Sequence, residues 1–339
     1  MILPRWFTLV LSGALGCLTL LSLSGNAVEA VTVRIQSLDP RFDLLVPPNA
    51  ELETIADGFT WVEGPVWSQE GGFWLFSDIP ANRVYKWKAG DGVSVYLERS
   101  GYSGVVPFTG KEPGSNGLTF DREGRLVLCR HGDRQIARLE QDGQLTVMAD
   151  SYDGHRFNSP NDLVFKSNGD LYFTDPPFGL PGGFDDPEKA AVQGVYRVAK
   201  DGTVTRLVAD IKAPNGIAFS PDEQTLYVSD VDPTRAAWLA YDVRADGTVT
   251  NGRVLFDATR WRKDPFFGPD GFKVDQHGNI FGARPGGLSV IAPDGALLGT
   301  IEIGQAVSNV AWGEDGHTLV ITGADSVYRI KLTTKGAGY

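Results

Sequence analysis

The run Ser115-Asn116-Gly117-Leu118-Thr119-Phe120-Asp121, continued by Arg125-Leu126-Val127-Leu128-Cys129, then Gln135 to Glu140 and Leu145 to Ala149, decides the fold. Its four short apolar or alternating segments are divided by a loop and by the Gly turns Glu123-Gly124 and Asp142-Gly143, a pattern of antiparallel strands and not of a helix. The opening phrase sets Asn, Asp or Glu in a turn ahead of an apolar strand. It returns at Glu63-Gly64-Pro65-Val66-Trp67, Pro160-Asn161-Asp162-Leu163, Pro214-Asn215-Gly216-Ile217, Pro269-Asp270-Gly271-Phe272 and Ser308-Asn309-Val310-Ala311. A return every roughly 40 to 55 residues is the period of propeller blades. Four strands per unit and six units predict an all-β chain, a six-bladed β-propeller with four-stranded antiparallel blades, at about 61–99, 114–150, 160–210, 214–258, 268–304 and 308–331.

The last unit shows three strands. Residues 51–56, ahead of the first unit, are expected to supply its outer strand and so close the ring by pairing an N-terminal strand with the last blade, leaving few free sheet edges. One domain is therefore expected over 31–339. Residues 1–30 carry Arg5, an apolar stretch from Trp6 to Leu23 and small residues at Ala27 and Ala30, the order of a signal peptide cleaved after either alanine. The expectation is an exported, periplasmic or secreted protein, free of the membrane unless that segment is retained as an anchor. Of the two cysteines, Cys17 and Cys129, cleavage leaves only Cys129, so no internal disulfide is expected, and its place in an apolar run suits a buried thiol. A net charge of −11 argues against nucleic acid and anionic membrane as partners.

In a propeller the first strand of each blade lines the central channel. Glu63, Asn116, Asn161, Asn215, Asp270 and Asn309 are thus expected to converge on one mouth of that channel. Any one of them is explained by local turn bonding. Six together predict a ring of carboxylate and amide oxygens without sulfur, suited to a divalent cation. Calcium fits best because it accepts six to eight oxygen ligands in flexible geometry, whereas zinc favours His and Cys. No serine-hydrolase signature, zinc-binding His-Glu helix or phosphate-cradling glycine motif competes with this as a source of chemistry.

The segments at 63–67, 159–163, 214–230 and 269–271 together resemble the gluconolactonase and regucalcin (senescence marker protein) family, in the same order along nearly the whole chain after residue 30. The resemblance implies a propeller with a divalent metal at the channel mouth and hydrolysis of a small-molecule lactone. It matches Glu63, Asn215 and Asp270 to metal ligands and Asn161 to a residue at the metal or the substrate. Asn116 lies in a segment closer to the microbial gluconolactonase branch and is a candidate substrate contact. Asp270 is a candidate for positioning or deprotonating water, with His131, in the loop after Cys129, as a second base. Arg284, in the matching loop of the fifth blade, could meet a substrate carboxylate or an acidic neighbour. The loop 175–183, rich in Pro and Gly, could be a lid. A phosphotriesterase-like hydrolase on the same site and a non-enzymatic propeller binding module are the alternative readings.

Overall fold

The computed structural model describes residues 30–31, 33–190, 193–262 and 267–339. The expected signal peptide, apart from Ala30, lies outside them. Among the described residues no helix is long and apolar enough to cross a membrane.

Six antiparallel sheets form the blades. The first is Val62–Ser68, Phe73–Asp78, Arg83–Lys88 and Gly92–Glu98; the second is Ser115–Phe120, Leu126–Arg130, Gln135–Leu139 and Leu145–Ala149. The third joins Leu163–Phe165, Leu171–Asp175, Gly194–Val198 and Val204–Val208, and the fourth Pro214–Phe219, Thr225–Asp230, Ala237–Val243 and Val249–Asp257. In the fifth, Phe272–Val274 is followed by Ile280–Ile291, which pairs with it through its first residues and with Leu297–Ala306 through its last. That run cannot be straight, because Ser289 Oγ lies 3.4 Å from Gly282 O, where seven extended residues would span roughly 23 Å. It therefore doubles back at Pro285-Gly286-Gly287, and its halves act as the second and third strands of the blade.

Closure follows the sequence reading. The sixth blade, Asn309–Gly313, Thr318–Gly323 and Ser326–Lys331, receives Leu52–Ala56 as its outer strand, with Ile330 opposite Leu52 and Val327 opposite Ala56. Two further N-terminal pairings were not anticipated. Arg34–Ser37 adds to the outside of the fifth blade along Leu297–Ala306, and Ala30–Val31 adds to Leu52–Ala56. The N-terminal segment thus covers the outer edges of two adjacent blades.

The core lies between blades. Successive strand residues point to opposite faces, and a middle strand has a neighbouring blade on each side, so Leu126–Arg130 and Leu171–Asp175 are buried at every position. Phe157, Phe173 and Tyr196 pack between blades two and three, and Tyr172, Ile217 and Tyr241 between three and four. Each large side chain so buried contributes about 1.5 to 3 kcal/mol.

Candidate functional site at the channel mouth

The six turn phrases are stitched into one rim by hydrogen bonds that run from blade to blade. Ser77 Oγ donates to Asn116 O (2.8 Å), Thr174 Oγ1 to Asn215 O (2.6 Å), Ser229 Oγ to Asp270 O (2.8 Å) and Ser308 Oγ to Val62 O (2.7 Å). Blades two and five carry Cys129 and Ala283 where Ser77, Thr174 and Ser229 stand in theirs, and there glycine amides take over. Gly117 N–H donates to Asn161 O and Gly271 N–H to Ser308 O, both at 2.8 Å. Every blade is therefore bonded to the next through the residue that bears, or adjoins, a candidate ligand.

Glycine after the candidate ligand is required by this crowding. Gly64 holds φ 53°, and a Cβ there would lie 2.2 Å from Asn116 O; a Cβ on Gly271 would lie 2.1 Å from Asn309 Cγ. The side chains themselves are inside the mouth. Glu63, Asn116, Asn161, Asn215 and Asn309 are buried, and Asp270 is partly open to solvent.

The electrostatics are unusual for buried acids. Glu63 Oε2 accepts from its neighbour Gly64 N–H (2.9 Å) and the carboxylate also bonds the Asn309 side chain; Asp270 Oδ1 accepts from Gly271 N–H (3.0 Å) and the carboxylate also bonds Asn215. Among the described residues no Lys, Arg or His pairs with either. Burial first, and then negative charge, that of Asp162 and Glu112 on Glu63 and that of Glu63 and Asp162 on Asp270, pushes both carboxyls well above their ordinary range. Asn116 Oδ1 is buried with no hydrogen-bond partner. Two carboxylates without a cationic partner and the buried amides Asn161, Asn215 and Asn309 form a donor set that a hard divalent cation fits, and Asn116 Oδ1 is a free acceptor on the same rim.

Three neighbours escaped the sequence reading. Asp162 occupies the position that is Gly in four other copies of the phrase, and its negative charge acts on both Glu63 and Asp270. Lys273 Nζ, 3.6 Å from Asp162 Oδ2, holds a positive charge on the channel-lining strand of the fifth blade. Both departures, an acid in place of Gly and a Lys in an apolar strand, were visible as breaks in the repeat. Glu112 had no such signal. It lies in an irregular loop, its charge reaches Glu63, and its Oε2 is 3.0 Å from Nδ1 of His131, off-line for a hydrogen bond.

His131 is fully buried and neither ring nitrogen is hydrogen-bonded. The loop 177–182 lies directly on it, since a Cβ on Gly179 would sit 2.4 Å from its Cγ. Arg284 is also buried, but it faces an acidic neighbour: its Nη2 pairs with Glu302, its Nη1 donates to Pro285 O and its guanidinium stacks on Trp261. Asp230, at the end of the second strand of blade four, accepts from Ala213 N–H (2.9 Å) and so caps the turn leading into Asn215.

Comparison with known proteins places this arrangement. The profile of the SMP-30/Gluconolactonase/LRE-like region matches residues 61–325. A gluconolactonase of Zymomonas mobilis is 39% identical over 93% of this chain and 89% of its own length. A pentonolactonase of Haloferax volcanii is 27% identical over 77% and 81%. The structure of a gluconolactonase from Xanthomonas campestris superposes with a TM-score of 0.77 at 32% identity, covering 90% of this chain and 97% of that one.

Proposed function

The chain belongs to the SMP-30/gluconolactonase/LRE-like family, and from that premise we propose that this lactone hydrolase works with a divalent cation, calcium by its donor set, held at the channel mouth. The observation that carries the reading is the pair of rim carboxylates, Glu63 and Asp270, both raised by desolvation and by neighbouring negative charge, that of Asp162 on Glu63 and that of Glu63 on Asp270, and without a cationic partner among the described residues. Glu63, Asn215 and Asp270 would hold the ion, with Asn161 beside them. When bound it supplies charge to polarise the lactone carbonyl and to acidify water.

The chain's own groups account for the remaining requirements. Lactone opening adds water to the carbonyl carbon, removes a proton from that water, and delivers a proton to the ring oxygen as its bond to carbon breaks. Asp270, the partly open member of the rim, would orient the water. His131 would take the proton at Nε2, with Glu112 beside Nδ1, and return it to the departing ring oxygen. Asn116 Oδ1 is an acceptor without a donor, which a substrate hydroxyl would satisfy. We place the protein outside the cytoplasm on the order of residues 1–30 alone.

The test is hydrolysis of glucono-1,5-lactone by the purified protein before and after chelation, with metal analysis of the same sample. The expected result is stoichiometric divalent metal and a loss of at least about 100-fold on chelation, restored by calcium. Turnover undiminished by chelation in protein found free of metal would overturn the cation, and no turnover with metal supplied would overturn the proposed reaction.

A further inference from the structure

Beside the channel mouth a cleft of about 410 Å³ opens between two rim loops, 102–109 and 179–188. Its size falls in the range of small-molecule pockets. None of Glu63, Asn161, Asn215 or Asp270 lines it; the link between the two sites is His131, which lines the cleft on one side and stands 3.0 Å from Glu112, whose charge reaches Glu63, on the other. A molecule with its reacting carbonyl at the carboxylates must therefore extend beyond the lactone ring to fill the cleft.

The walls state what that extension is. Tyr102 and Phe108 pack against each other with ring centroids 5.2 Å apart, and with Pro181 they present apolar faces. Arg134 and Arg156 present hydrogen-bond donors. Arg134 is engaged by Phe157 O and Glu188, while Arg156 donates to Asp133 O (2.6 Å) and pairs with no acid among the described residues. Asp186 and Glu188 on the same wall balance the two guanidinium charges, which disfavours an anion. An alkyl chain would cover the guanidinium donors without pairing them. A sugar ring, with an apolar C–H face and hydroxyls around its edge, satisfies both kinds of wall.

We propose that this cleft is a subsite for a second sugar ring, so that the preferred substrate is the lactone of a glycosylated aldonic acid and not of a single sugar. The proposal rests on the lactone-hydrolase reading of the channel mouth. It makes the two rim loops the determinants of substrate size.

The experiment compares kcat/KM for glucono-1,5-lactone and cellobiono-1,5-lactone in the wild type and in Thr109→Trp, which adds bulk at the exposed edge of the cleft, with Phe108→Ala as a second variant should the first fold poorly. The wild type should favour the disaccharide lactone by about tenfold or more, chiefly through KM. Thr109→Trp should bring the ratio to about one, with the monosaccharide lactone unchanged within about twofold. Equal rates on both lactones in the wild type, or a preference that survives both variants, would overturn the subsite. Calorimetric titration with cellobionic acid provides a readout independent of turnover. If neither lactone is hydrolysed the reaction assigned to the mouth fails by itself, and the titration still decides: binding weakened about tenfold by Thr109→Trp supports the subsite, and no binding to the wild type refutes it.

Discussion

Two sets of acids serve the rim of this propeller, and they differ in what fills their lone pairs. Asp78, Asp175 and Asp230 end the second strands of blades one, three and four. Asp78 accepts from Thr60 and Trp61 N–H, Asp175 from Asn158 and Ser159 N–H, and Asp230 from Ala213 N–H, so each pins the backbone that leads into a rim turn. Glu63 and Asp270 sit on the rim itself, and each receives one backbone N–H, that of its own neighbour, together with an amide side chain. Raised proton affinity does not separate the sets, since burial also lifts Asp175 to about 7 and Asp230 to about 6. What separates them is company: one set spends its acceptors on the backbone, the other stands among further negative charge, that of Asp162 acting on both its members.

The largest expected effect comes from neutralising the rim. Glu63→Gln or Asp270→Asn should lower kcat/KM on a lactone by about 1,000-fold, roughly 4 kcal/mol, while the chelated protein melts no lower than wild type because a buried like-charge pair has gone. Retention of activity within about tenfold would erase the distinction between the sets. Asp175→Ala should show the opposite split. Two buried N–H groups lose their acceptor, for a cost of about 2 to 4 kcal/mol in denaturant unfolding, with activity per folded molecule within about threefold of wild type.

The pH dependence tests what the sets share. A carboxyl raised in the folded state keeps its proton where the unfolded chain has lost it, so unfolding releases protons and stability falls as pH rises. The chelated protein should therefore be most stable near pH 4 to 5 and lose stability up to about pH 8, through about 7 for Asp175 and about 8 for Glu63, with a slope of at most about 1.4 kcal/mol per pH unit for each such group. Stability that rises over this window, read from melting temperatures, would contradict the raised carboxyls. The smallest effect is expected at the link between the sets: Ser229→Ala removes the hydroxyl that donates to Asp270 O and accepts from Gly216 N–H, at about 1 kcal/mol, with a few-fold loss of activity through a displaced Asp270.

The blades were legible because their signal is local and repeated. Alternation, Gly turns and the rim phrase recur in each unit, so strands such as Leu126–Arg130 and Thr225–Asp230 announce themselves, and the three-strand count of the last unit pointed to 51–56. The rim residues were legible for the same reason, as variants of one phrase. Arg34–Ser37 was not, because an added edge strand is specified by a partner far along the chain, here Leu297–Ala306, and carries no turn signal of its own. Glu112 escaped because it reaches His131 from an irregular loop whose path no periodicity describes. Asp230 showed the converse difficulty, since an acid at the end of a strand reads alike whether it serves the backbone or a ligand.

The pairing of Leu52–Ala56 with Ser326–Lys331 has a consequence for how the protein is made. Glu63 emerges from the ribosome early and Asp270 much later, yet the bond from Ser308 Oγ to Val62 O that joins the last blade to the first waits for residue 308. A chain stopped before residue 326 would carry both acids and every rim glycine without a closed circle to hold them in register. Catalysis in this architecture requires synthesis through the strand 326–331, and nonsense mutations before residue 326 should behave as nulls, never as weak alleles.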